Sequence, residues 1–273
     1  MSVEDIYACG YRGTLNSIDA DGMVTVPTGP GWGVTYDWEF MRAHQIDQKN
    51  LQLSGERYME NIVARLSEFA TSELSDTLDE LGIHGVLTGL SAQRVGQGRV
   101  AGRALPVHLV SKSGDPAAYR FGGGVGKPLE QVLKTMADGD VVIMDLQGAN
   151  HASAWGGLAS RLAQRRGVRG TIMWGTCRDV EEIRQIGYPV WAVGVCPRRS
   201  RNDFTFGSIN QPINICGVNI SRDDYIVADE SGVVVIPGLR ADEVIEMATR
   251  ISEQETELLL RVKSDTLTSW DDV

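Results

Sequence analysis

Apolar positions recur at helical spacing twice near the start of the regular part of the chain. Met59, Ile62, Val63 and Leu66 share one face of Tyr58–Glu68, and Leu74, Leu78 and Leu81 share one face of Thr71–Leu81, with Gly82 as its stop. Ser72 or Ser75 is the expected cap of the second helix. The period then changes. A strand is expected from about Arg103 to Val110, a short helix over Leu129–Met136, and a fully buried strand over the apolar run Asp140–Asp145. Next come a helix at Leu158–Gln164, a buried strand at Gly170–Trp174, a helix at Val180–Ile186 and a strand at Pro189–Val195. Strands at Ile213–Ile215, Val218–Ile220, Tyr225–Asp229 and Val233–Ile236 lead into a long last helix, Ala241–Val262. Its apolar face carries Val244, Ala248, Ile251 and Leu258.

Helices and strands alternate in the middle and strands cluster later, which predicts an α/β domain with a mixed sheet. Residues 1–56 follow neither period. They are rich in Gly, Pro and aromatics, with short strands expected at Met23–Val26 and Val34–Tyr36, and read as an N-terminal arm on a domain spanning 57–273. Strand 140–145, helix 158–164 and strand 170–174 make one βαβ unit, whose strands run parallel. The start of that helix and the turn after the second strand therefore meet at the carboxyl edge of the sheet, where open α/β sheets bind ligands.

Composition narrows the partners. The net charge is −10 and the pI about 4.9, a poor field for phosphate backbones, so nucleic acid is excluded as a partner. Cys9, Cys177, Cys196 and Cys216 form no C-x-x-C pair, and they read as reduced thiols of a cytoplasmic protein. MSVEDIYACG lacks the basic start and apolar core of a signal peptide. No apolar run approaches the roughly 18 residues that span a membrane.

Candidate chemistry concentrates in WGGLASRLAQRRGVRGTIMWGTCRDVEE, residues 155–182. Backbone N–H groups at Gly156, Gly157, Leu158 and Ala159 open a helix and suit an anion, and Arg178 can add a bidentate contact to it. Asp179 offers a hard oxygen to a divalent cation, with Glu182 holding a metal-bound water. The competing reading is local: D-x-x-E before a helix is also a capping box, and paired glycines often only turn the chain. Arg198, Arg199 and Arg201 form a basic cluster that fits the distal carboxylate of a diacid or a solvated loop. His44, His84 and His108 have no partner at metal-ligand spacing and read as structural.

The spacing Gly157, Arg178, Asp179, Glu182 resembles the signature of the RraA-like proteins, which include class II pyruvate aldolases acting on 4-hydroxy-4-methyl-2-oxoglutarate and 4-carboxy-4-hydroxy-2-oxoadipate. SELSDTLDELG, GDVVIMD, AWGGLAS, PRRS and DDYIVADESGVVVIP match in family order over about residues 60–260. The resemblance implies a swivelling β/β/α domain (a layered α-β-β-α sandwich) with an N-terminal extension and a long C-terminal helix. It implies a homotrimer or homohexamer with sites between subunits. It also implies a lyase dependent on Mg²⁺ or Mn²⁺ that cleaves a small-molecule 2-oxo acid to pyruvate, or decarboxylates oxaloacetate, through a metal-stabilised enolate. In that reading Gly156–Ala159 and Arg178 hold pyruvate, Asp179 ligates the metal, and Glu182 orders its water. A carboxylate of the last helix of a neighbouring subunit, Glu255 or Glu253, completes the site. The alternative carried by the same family is a non-catalytic regulator of a protein such as ribonuclease E, which tends to lack the acid at the position of Glu182. A methyltransferase reading finds no glycine-rich strand–turn–helix with an acidic ribose partner. Two positions depart from the family pattern. Gly157 stands where many members carry a proton-transferring acid, and Trp174-Gly175 where many carry Asp-Gly. With Gly157 neutral, His151, Asp145 or a water must move the proton.

Overall fold

The structure is a computed structural model that describes residues 11–12, 35–36, 48–112 and 128–264. The chain divides into two compact units, Met1–Tyr58 and Met59–Val273. In the first, β1 (Tyr11–Arg12) pairs antiparallel with β2 (Thr35–Tyr36). The strand expected at Met23–Val26 lies outside the described residues.

In the second unit, the part of α1 (Gln48–Leu66) from Met59 onward contributes Ile62 and Leu66 to the core, and α2 (Thr71–Glu80) contributes Leu74 and Leu78. Neither Ser72 nor Ser75 caps α2. Ala70 holds the N-cap position, its N–H donates to Glu73 at 2.5 Å, and the amide and hydroxyl of Thr71 donate to Asp229 at 2.9 and 2.5 Å. The elements that follow are β3 (Val86–Leu87), β4 (Ser91–Ala92), β5 (Val100–Ser111), α3 (Pro128–Thr135) and β6 (Asp140–Trp155). Then come α4 (Gly157–Arg165), β7 (Gly170–Cys177), α5 (Val180–Ile186), β8 (Val190–Val195) and β9 (Phe204–Ile209). Four short strands, β10 (Ile213–Ile215), β11 (Val218–Ile220), β12 (Tyr225–Ala228) and β13 (Val233–Ile236), precede α6 (Ala241–Lys263).

The large sheet has the order β3-β13-β12-β5-β6-β7-β8-β4, with β9 added to the outer half of β5. β5 through β8 are parallel and their flanking strands antiparallel, as the mixed pattern predicts. Alternation sorts the side chains by face. Val142, Met144 and Met173 join Ala159, Ala163 and Ile183 of α4 and α5, and Val227 and Val234 join the helices α1, α2 and α6. Val141, Ile143, Ile172, Ile226 and Val235 point the other way, into a cluster built only of strand residues and closed by the β10–β11 hairpin. Helices, large sheet and small sheet thus form the α/β layers, with the long helix α6 at the end.

One boundary differs in a way that shapes the site. The strand expected to stop at Asp145 continues to Trp155, so residues 146–155, including His151, are strand and not loop. The continuation is irregular: successive partners of β7 on β6 jump from Asp145 to Ala149 to Ser153 to Trp155, and Gln147 and Gly148 take positive φ. The segment QGANHAS has no apolar alternation because its edge is held by backbone and hydroxyl contacts. Ser153 N–H donates to Arg198 O at 2.7 Å and its hydroxyl to Cys196 O at 2.6 Å.

Candidate functional site

β6, α4 and β7 form the expected βαβ unit, and its two ends meet. Trp155, buried at the end of β6, anchors the start of α4, because its indole N–H donates to Ser160 Oγ at 2.9 Å while the Ser160 hydroxyl donates to Gly156 O at 3.1 Å. The turn after β7 is tied to the same point by Arg178 N–H donating to Trp155 O at 3.0 Å. Asp179 follows in the left-handed region, φ 56° and ψ 38°, a conformation that a short polar side chain tolerates and that sends its carboxylate back across the turn.

The local reading of D-x-x-E does not hold. Asp179 occupies the N-cap of α5 but makes no side-chain cap bond; its Oδ2 accepts the N–H of Gly157 at 3.2 Å and lies 3.4 Å from Arg178 Nε. Glu182 likewise turns away from its own helix. Its Oε1 accepts from Arg161 Nε at 2.6 Å, bridging α5 to α4. Arg161 escaped the sequence reading, although it sits one turn after Gly157, on the same helix face.

The glycines are needed for room and not for a turn. Gly156 has extended dihedrals, φ −163° and ψ −169°, that any residue adopts. A Cβ there would meet the Asp179 carboxylate and lie 3.1 Å from Arg178 Cγ, and a Cβ at Gly157 would collide with the Glu182 carboxylate. Both acids therefore converge on adjacent glycines, each 39–40 % exposed. With Gly157 N–H engaged by Asp179 and Ser160 N–H bonded to Gly156 O, the amides of Leu158 and Ala159 remain as donors at the helix start. Leu158 stands exposed beside them.

Among the described residues no group of three or more His, Cys, Asp or Glu gathers into a metal cage. The donor set still suits a hard cation. Among the described residues Asp179 Oδ1 and Glu182 Oε2 carry no protein partner, and a cation such as Mg²⁺ needs only one or two protein carboxylates and keeps its waters. Glu253 and Glu255 lie exposed on α6, in its outer half, past its last buried residue Ala248. His151 is exposed and stacks on Phe204 at 5.7 Å. The basic loop folds against β6, with Arg199 bridged to Ser153 and Arg198 paired to Asp203 at 2.7 Å. Cys177, one residue before the site, is buried, and burial pushes its thiol up to about 11, so it stays protonated at neutral pH. No helix among the described residues is long and apolar enough to cross a membrane.

Residues 71–235 match the RraA-like family model, described as Aldolase/RraA. The chain is 32 % identical over 199 residues to Protein DlpA of Legionella pneumophila, a match that takes in 72 % of this chain and 31 % of that relative, so the chain spans about a third of its length. It is 28 % identical over 144 residues to the 4-hydroxy-4-methyl-2-oxoglutarate aldolase of Thermus thermophilus, covering 50 % of this chain and 85 % of the relative. Among solved structures it is similar to Streptomyces coelicolor RraAS2, described as an unusual member of the RNase ES inhibitor RraA protein family. The TM-score is 0.65 and the identity 26 %, over 74 % of this chain and 96 % of that one.

Proposed function

The chain belongs to the RraA-like family, and from that premise we propose that it is a divalent-metal-dependent lyase that cleaves a 4-hydroxy-2-oxo acid to pyruvate or decarboxylates oxaloacetate. One observation carries the reading: the carboxylates of Asp179 and Glu182 leave their own helix uncapped and converge on Gly156 and Gly157, beside two unpaired helix N–H groups. A pair of caps would have faced α5. The name of the Thermus relative supports the substrate class.

In this reading the amides of Leu158 and Ala159 and the guanidinium of Arg178 bind the carboxylate and 2-oxo group. Asp179 would hold Mg²⁺ or Mn²⁺ through Oδ1, with Glu182 reaching it through a water. Such a cation supplies positive charge beside the 2-oxo oxygen, where negative charge builds up as the bond breaks. Gly157 fixes Asp179 through its N–H, and Arg161 fixes Glu182, so both acids are oriented before any ligand arrives. Sites shared between subunits of a trimer or hexamer would bring an acid such as Glu255 from a neighbour. The likeness to RraAS2 supports a second reading, a non-catalytic regulator that binds a protein partner.

Pyruvate release decides between them. The protein with Mg²⁺ or Mn²⁺ is incubated with a panel of 4-hydroxy-2-oxo acids and oxaloacetate. The lyase reading expects turnover that Asp179→Ala abolishes; turnover of nothing in the panel, or turnover indifferent to that substitution, overturns it.

A further inference from the structure

A second carboxylate on the substrate needs a cation, and the sequence offers the loop Arg198–Arg201 for it. In the structure Arg198 pairs with Asp203 at 2.7 Å, and the loop joins β6 at Ser153, three positions and roughly 10 Å short of Gly156 at the rise of a strand. A nearer cation stands on α4 itself. Arg161 comes four positions after Gly157, so the two share one helix face within about 6 Å. Its Nε donates to Glu182 Oε1 at 2.6 Å, and the same carboxylate fills the space above Gly157. Arg161 is thereby held at the rim of the helix start, on the face of the sheet that carries α4 and α5.

Only Nε of that guanidinium is engaged. Among the described residues neither Nη group of Arg161 bonds a protein acceptor, and the side chain is 51 % exposed. Nη1 and Nη2 form the end of the fork, which can receive a carboxylate through two parallel bonds while Nε stays on Glu182. Leu158 and Arg161, three positions apart, share the exposed face of α4, and Leu158 carries one of the two free amides. A ligand that places its first carboxylate on those amides and on Arg178 therefore meets Arg161 next along the helix surface. Charge points the same way. Arg161 and Arg178 balance Asp179 and Glu182. A divalent cation then leaves two positive charges, the complement of a dicarboxylate, whereas a monocarboxylate leaves one of them unmatched.

Resting on the lyase reading, we propose that Arg161 is the specificity-determining residue of this site: Nη1 and Nη2 bind the distal carboxylate of a dicarboxylic 4-hydroxy-2-oxo acid while Nε keeps Glu182 in place. The two tasks of one guanidinium have separate signatures. Loss of the hold on Glu182 affects every substrate alike. Loss of the fork affects the diacid alone, and affects its binding.

The test uses the full chain with Mg²⁺ and two readouts. Cleavage of 4-hydroxy-2-oxoglutarate is compared with that of 4-hydroxy-2-oxopentanoate, and calorimetry measures binding of their analogues without the hydroxyl, 2-oxoglutarate and 2-oxopentanoate. Wild type is expected to favour the diacid in both. Arg161→Leu is expected to raise KM for the diacid about 10- to 100-fold and to weaken 2-oxoglutarate by the same factor. KM for the monoacid and binding of 2-oxopentanoate stay nearly unchanged, and any fall in kcat through Glu182 is equal for the two substrates. Arg161→Lys, which keeps the charge without the fork, is expected to recover part of the diacid preference. A wild type that cleaves both substrates without preference, an Arg161→Leu protein that keeps the preference, or an Arg199→Leu protein that loses it in its place, overturns the proposal and leaves the lyase reading intact. A wild type that cleaves neither substrate and binds neither analogue brings down both.

Discussion

The carboxylate of Glu182 fills the space that a side chain at position 157 would need: a Cβ built on Gly157 runs into Glu182 Oε2 and Cδ. The pair is held in that relation by Arg161, which grips the other oxygen of Glu182 at 2.6 Å. Position 157 and position 182 therefore compete for one volume. Because the obstructing atoms end a flexible, 39 % exposed side chain, the conflict resolves by moving Glu182 and not the backbone. Gly157→Ala and Gly157→Asp are expected to fold with stability within about 1 kcal/mol of wild type, since alanine also favours a helical position over glycine. Both lose metal-dependent pyruvate release. In a Glu182→Ala background Gly157→Ala has no further effect, and a double-mutant cycle on kcat/KM reads that coupling directly.

Asp179 combines an unfavourable backbone with a chemical role, and the two separate by substitution. Its φ of 56° costs a non-glycine residue about 1–2 kcal/mol. Asp179→Gly relieves that cost and is expected to match or exceed wild type in urea stability. Asp179→Ala keeps the strain, gives up the bond to Gly157 N–H, and unfolds at lower urea. Both proteins lose metal binding by calorimetry. A stable, inactive Asp179→Gly would mark the strain as held for function.

Legibility from sequence followed the locality of the cause. Val180–Ile186, Ile213–Ile215, Val218–Ile220 and Val233–Ile236 begin and end where the apolar pattern and turn residues predict, because every signal for them lies within a few positions. The meeting of Gly156 with Asp179 was also legible, since the handedness and equal lengths of a βαβ unit leave it little choice. The carboxylates' direction was not. D-x-x-E looks the same whether it caps its own helix or crosses to another, and only the room above Gly157 distinguishes them. The outer half of β6 was missed because its polar residues pair through backbone at an irregular register. The bond between His108 and Asp145 needs the register of two strands separated by 37 positions, which no local pattern carries.

Cys177 lies next to Arg178 but is buried, and burial pushes its thiol up to about 11. At pH 8 nearly all of it is protonated, and the thiolate is the reactive form. A thiol-labelling time course followed by peptide mass spectrometry should show Cys196 and Cys216 modified before Cys177. Labelling of Cys177 should track unfolding as urea is added. Cys177→Ser is expected to keep metal-dependent activity, with a stability loss from placing a hydroxyl in an apolar pocket, which separates this cysteine from the chemistry beside it.

Asp229 caps a helix from 158 positions away, accepting the amide and hydroxyl of Thr71 at 2.9 and 2.5 Å where Ala70 has no side chain able to do so. Partial burial alone would raise its pKa. The two Thr71 bonds, the Ser231 amide and the nearby Arg99 outweigh burial and hold the carboxyl below its ordinary value. The sign follows from which state binds protons. A carboxyl depressed in the folded protein is more readily protonated when unfolded, so stability rises with pH across its range. The contribution is complete above the ordinary aspartate value of about 4 and is lost as pH falls through the lower folded value. Asp229→Ala is expected to cost about 1–2 kcal/mol at pH 7, the range of a lost helix cap. Urea unfolding of both proteins at pH 7 and near pH 3 tests the linkage. The gap between them should narrow in acid, and a gap that stayed constant or widened would mean that the charge on Asp229 contributes nothing to holding Thr71.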